Sequence, residues 1–130
     1  MNIKKFIEEA ELFMDCKWIP MRPDANELGW KDCNSYEIML YCDDRHYGLW
    51  YSQGYGIKDE PSLERVLGAI LMDCQGLEGM DSFEDWADSY GYDTDSRSAE
   101  RIYKACQEQA DNMKYLLGYM YDDFLSVEEE

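Results

Sequence analysis

Histidine is almost missing from this chain, which has one, His46, in 130 residues. Lys and Arg are scarce too, twelve against twenty-nine Asp and Glu, for a formal net charge of -17. A chain so short of cations is repelled by nucleic acid and by anionic lipid. No apolar run approaches the ~18 residues that a membrane span needs. The first ten residues carry Lys4 and Lys5, then Glu8 and Glu9, with no apolar h-region or cleavage site, so no secretory signal is expected. There is no G-x-S-x-G, P-loop, H-E-x-x-H or glycine-rich dinucleotide turn. The cysteines (Cys16, Cys33, Cys42, Cys74 and Cys106) are odd in number and form no C-x-x-C pair. That usage fits a reducing cytoplasm, with thiols serving as small core hydrophobes.

What is present is apolar and aromatic. The chain is 45% hydrophobic and 15% aromatic. Acidic disordered tails lack that content. The sequence therefore reads as one folded domain that keeps a strongly negative surface. Self-repulsion at this charge opposes compactness, so the charge must serve solubility or a basic partner.

Periodicity outlines the elements. Residues 3–10 space Ile3, Phe6 and Ile7 as one side of a short helix. From 11 to 19 the period changes to two, with Leu12, Met14, Cys16 and Trp18 on one side. Pro20 and Pro23 stop this strand, and 20–34 reads as a loop. Strands at 36–42 and 46–53 flank Asp43-Asp44-Arg45 and predict a hairpin, in which a three-residue turn brings His46 near Cys42. A helix over 61–75 follows, with Asp59-Glu60-Pro61 as its start, a capping acid and then Pro in the first turn. A third helix, 82–90, would bury Phe83, Trp86, Ala87 and Tyr90 and end at Gly91. The longest, 95–117, is capped by Asp93, Thr94 and Asp95 and marked by a stripe of Ala99, Ile102, Tyr103, Cys106, Ala110, Met113 and Leu117. Residues 126–130 read as an acidic tail. Strands first and helices later predict an α+β fold, a three-stranded antiparallel sheet covered on one face by helices.

The densest acidic stretch holds Asp81, Glu84, Asp85, Asp88, Asp93 and Asp95, with Asp43 and Asp44 as a second group in the hairpin turn. Several stand in helix first turns, where the dipole favours carboxylates; capping does not account for the excess over the whole chain. Rows of carboxylates suit a basic groove built for nucleic acid. The alternative surface is aromatic. Tyr36, Tyr41, Tyr47, Trp50, Tyr51 and Tyr55 crowd the hairpin and its exit, and Tyr47, Trp50 and Tyr51 are the expected protein-binding face. Asp93-Thr94-Asp95-Ser96 opens like a calcium loop but has Ser98 at position six and Lys104 at position twelve, so it reads as a cap. Cys42 and His46, with Cys33 nearby, lack the second matched pair that zinc requires. A catalytic reading would rest on His46, with Cys42 as nucleophile or Asp44 as orienting group. The expectation is no metal, no cofactor and no catalysis.

From Tyr47 the chain runs GLWYSQG, then PSLERVLGAILMDC, then SFEDWADSYGYDTDSRSAERIYKACQEQ. These segments resemble a group of small, mostly uncharacterised proteins encoded by bacteriophages and prophages. The strongest block is Phe83-Glu84-Asp85-Trp86, then Gly91 to Ser96, then the helix with Ala99, Tyr103 and Cys106. The resemblance, from Tyr47 onward, covers about two-thirds of the chain and leaves out the loop from Pro20 to Asn34. Many members of that group have mixed charge, so the shared block implies architecture, and the -17 belongs to this chain. A phage origin implies a protein acting in the bacterial cytoplasm. Small acidic phage proteins include anti-restriction and anti-CRISPR inhibitors that imitate nucleic acid, and by that analogy the partner is a basic nucleic-acid-binding protein such as a host defence nuclease.

Overall fold

The computed structural model describes residues 1–19, 34–53, 60–78, 80, 82–94 and 96–128. The reading of 20–34 as a loop lies almost wholly outside them, as do Cys33, Asp59, Asp81, Asp95, Glu129 and Glu130. Helix α1 (Ile3–Ala10) starts where the Asn2 side chain accepts the Lys5 N–H at 2.9 Å, and ends at Glu11, whose φ of 53° turns the chain left-handed. That turn carries Leu12 into the core and starts β1 (Phe13–Ile19). Strands β2 (Asn34–Cys42) and β3 (Arg45–Gln53) complete an antiparallel three-stranded sheet in the order β1-β2-β3.

The hairpin turn has two residues, Asp43 and Asp44, and pairs Cys42 with Arg45 and Tyr41 with His46. Asp43 adopts φ 55°, which a short polar side chain tolerates. This register corrects the three-residue turn expected from the sequence, and it decides every side-chain direction beyond it, because a one-residue slip exchanges the faces of a strand. Tyr36, Ile38, Leu40 and Cys42 of β2 are buried on the inner face. Opposite them stand Trp18, Cys16 and Met14 of β1 and Tyr51, Leu49, Tyr47 and Arg45 of β3. Trp18 points to the inner side yet stays 53% exposed.

The helices cover that inner face, as the strand-then-helix order predicts. Helix α2 (Leu63–Gln75) buries Val66, Leu67, Ile70, Leu71 and Cys74. Its cap is Ser62, whose hydroxyl accepts the Arg65 N–H, so Pro61 precedes the cap instead of sitting in the first turn. Helix α3 (Phe83–Tyr90) is capped by Ser82. Helix α4 (Arg97–Leu117) is capped by Ser96, which accepts the Ala99 N–H; Ser ranks with Asp as a cap, and the expected role of Asp93 and Thr94 falls to the residue nearer the helix. Its buried face holds Ala99, Cys106, Ala110, Met113, Leu116 and Leu117, while Ile102 of the expected stripe is 41% exposed.

Gly118 ends α4 with φ 58° and ψ -127°, a conformation open to glycine. A Cβ there would also meet the Arg45 guanidinium at 2.9 Å. A 3₁₀ turn (Gly118–Met120) and α5 (Tyr121–Leu125) then fold back. The segment after α5 corrects the expected tail. Val127 is buried, Glu128 pairs with Asn2, and Gln75 Nε2 donates to the Leu125 carbonyl at 2.9 Å.

Phe124 joins the two chain ends. It is fully buried, with its ring 5.5 Å from Phe6 and 6.4 Å from Tyr121. Phe124→Ala should cost ~3–5 kcal/mol in urea unfolding, whereas Tyr119→Ala, at a side chain 89% exposed, should stay within ~0.5 kcal/mol.

Candidate functional site

Every carboxylate among the described residues is exposed. The sequence-predicted group is held by α3. Its cap, Ser82, accepts the Asp85 N–H at 3.2 Å and leaves Glu84 and Asp85 in the first turn, where the helix dipole favours them. Trp86 and Ala87 turn inward, so Glu84, Asp85 and Asp88 occupy the solvent side at i, i+1 and i+4. Gly91, at φ 75°, ends the helix, and the Tyr92 N–H reaches back to the Ala87 carbonyl at 2.8 Å. This return stacks Tyr92 on Trp86 at 5.3 Å and places Asp93, exposed, just beyond the helix end. Asp81 and Asp95 lie outside the described residues.

The second group does not join the first. Asp43 and Asp44 sit in the hairpin turn, and Asp43 lies 3.7 Å from Arg45, whose guanidinium faces Gly118 at the C-terminal end of α4. Helix α3 packs instead on the first half of α4 through Trp86, Phe83, Tyr103 and Cys106. Fifteen residues of helix separate Tyr103 from Gly118, about 22 Å at ~1.5 Å per residue.

The sequence placed Phe83, Trp86 and Tyr90 among the buried residues of this helix and Tyr103 on the stripe of the next, but not their gathering with Tyr92 behind the α3 carboxylates. Trp86 is its centre, with Tyr103, Tyr90 and Tyr92 at 5.2–5.3 Å and Phe83 at 6.3 Å. Tyr90, expected to be buried, is 51% exposed, with its hydroxyl against Gly76.

The expected aromatic face is divided by the sheet. Tyr47 and Tyr51 stand on the inner face, half-buried against the helices. Of the three, Trp50 alone turns outward. Its face is shared by Phe13, Tyr41, Met39 and His46, which period-two counting from Trp50 through the observed register brings together.

The same register separates Cys42 from His46. The thiol points to the helices and donates to the Ala10 carbonyl at 3.7 Å, while the imidazole points to the opposite side of the sheet. The two do not converge on a common metal or substrate. Among the described residues no group of three or more His, Cys, Asp or Glu is placed to hold a metal ion, and no helix is long and apolar enough to cross a membrane. A groove of about 450 Å³ runs beside α4, lined by residues including Glu78, Lys104, Glu108, Asp111 and Lys114, with Tyr121 at its base. Lys104, Glu108, Asp111 and Lys114 mix both signs at helical spacing, as on a solvated helix face.

The buried thiols are held protonated. Desolvation raises Cys42, partly offset by Arg45, and raises Cys74 and Cys106 to about 11 from an ordinary 9.0. A nucleophilic thiol needs the opposite shift.

No protein-family model matches this chain, and searches of curated proteins and of solved structures likewise give no match.

The raised thiols have a consequence for stability. Between pH ~9 and ~11 the unfolded chain releases the Cys74 and Cys106 protons that the folded chain retains, so stability present below pH 9 is lost as pH rises, by up to ~1.4 kcal/mol per pH unit for each of these two. Urea midpoints should fall between pH 8.5 and 10.5, and Cys106→Ala should flatten that fall; an equal slope in the variant would contradict this assignment.

Proposed function

We propose that this chain is a non-catalytic inhibitor that occupies a basic nucleic-acid groove on its partner, as anti-CRISPR and anti-restriction proteins of phages do. The observation that carries the proposal is the solvent side of α3 and its exit. Glu84, Asp85, Asp88 and Asp93 are exposed there, on a helix fixed from behind by Trp86 and Tyr103. Asp81 and Asp95 flank these residues in the sequence and belong to the same proposed set. A rigid row of carboxylates on a chain of charge -17 is steered to a cationic cleft and excludes nucleic acid from it by charge and bulk. The partner in this proposal is a nucleic-acid enzyme such as a host defence nuclease, met in the bacterial cytoplasm. Asp43 and Asp44, at the far end of α4, would contact only a partner that extends beyond the α3 surface.

The test is capture from a bacterial lysate at ~50 and ~300 mM salt, a range over which charge-driven contacts weaken steeply. A nucleic-acid enzyme recovered at low salt and lost at high salt is the expected result. The triple variant Glu84→Lys, Asp88→Lys, Asp93→Lys should abolish both capture and inhibition while circular dichroism retains the wild-type spectrum. Inhibition that survives in the folded variant contradicts the proposal.

A further inference from the structure

The outer face of the sheet lies on the side away from the described helices. Its nine positions form three cross-strand rows: Phe13, Tyr41 and His46; then Asp15, Met39 and Gly48; then Lys17, Glu37 and Trp50. All are exposed except Met39 and Tyr41, which are half-buried, so no described element covers this face. Helix α1 packs on α2 on the inner side.

The face is ordered by its own contacts. Phe13 and Tyr41 stack at 4.7 Å with an interplanar angle of 13°, with Asp15 in the next cross-strand row on the same face. A side chain at position 48 would have its Cβ 3.2 Å from Met39 Cε, so Gly48 lets Met39 lie across β3. The result is a flat apolar strip ending in Phe13, 56% exposed, and Trp50, 42% exposed. Large apolar side chains left in water on one surface mark interaction sites.

We infer that this face is a docking surface for a partner protein that presents arginine side chains. Charge complementarity selects the occupant. Asp15 and Glu37 stand within the strip, with Asp44 in the turn beside Tyr41 and His46; among the described residues of this face Lys17 is the one lysine or arginine set against them, while Arg45 at the turn is taken up by Asp43 at 3.7 Å. A second copy would bring another charge of -17 against the first, and an acidic ligand meets the same repulsion. Flat rings among carboxylates match guanidinium, which stacks on an aromatic face while donating to an acid; an ammonium is compact and more strongly hydrated. This surface is independent of the α3 carboxylates, which belong to the helical layer.

The test titrates the isotope-labelled full chain with a nona-arginine peptide at ~150 mM salt and maps the shifts by nuclear magnetic resonance. Saturable shifts at the Trp50 indole and at Phe13, Tyr41 and Gly48 are expected, with nona-lysine binding more weakly. Phe13→Ser with Trp50→Ser should weaken arginine binding about tenfold, the scale of one or two ring–cation contacts. Shifts confined to α3, absence of saturation, or equal binding by a folded double variant overturns the inference. So does a concentration-dependent dimer that the double variant abolishes, since the occupant would then be a second copy. The wild-type map decides by itself if the double variant fails to fold.

Discussion

The structure depends on the packing of α2 and α4 against the inner face of β2. Ile38 and Leu40 there meet Leu67, Ile70 and Leu71 from one helix and Met113, Leu116 and Leu117 from the other in one core. Burying such side chains stabilises by roughly 1.5–3 kcal/mol each, and this opposes the mutual repulsion of a surface carrying -17. No described carboxylate enters that core. The apolar inner layer and the acidic exterior are thus separate.

Two surfaces follow from this division. On the helical side, α3 hangs from α4 by an aromatic group centred on Trp86 and turns its acids to solvent. On the other side, the sheet shows rings and a methionine among a few acids. The first suits long-range attraction, which falls with salt; the second suits short-range stacking, which falls less. A partner could be steered by one and held by the other. Among the described residues, the buried Cys42 thiol and His46 point to opposite faces of the sheet and share no site.

Much of the fold was legible because its periods are clean. Tyr36, Ile38, Leu40 and Cys42 alternate without a break, and Val66, Leu67, Ile70, Leu71 and Cys74 keep helical spacing. The architecture followed from the order of those runs. The face of β3 was not legible, because it hangs on one count: two turn residues, not three, separate the strands. Tyr47, Trp50 and Tyr51 cannot share a side of a strand, and period two alone would have divided them. Phe13 and Tyr41 were hidden because their neighbours across the sheet come from register, not from sequence proximity. The caps went to Ser62 and Ser96 because hydroxyl and carboxylate compete evenly for that position. Val127 looked like tail because a single apolar residue among acids gives no periodic signal. The α3 carboxylates were found by density in the sequence; their separation from Asp43 and Asp44 needed the length of α4.

In the proposed inhibitor, charge drives recognition. The slope of log affinity against log salt concentration, measured for this chain and the partner it captures between ~50 and ~300 mM, tests that directly. A steep, linear loss across that range is expected. An affinity that stays level as salt rises would contradict it and place recognition in apolar contact alone.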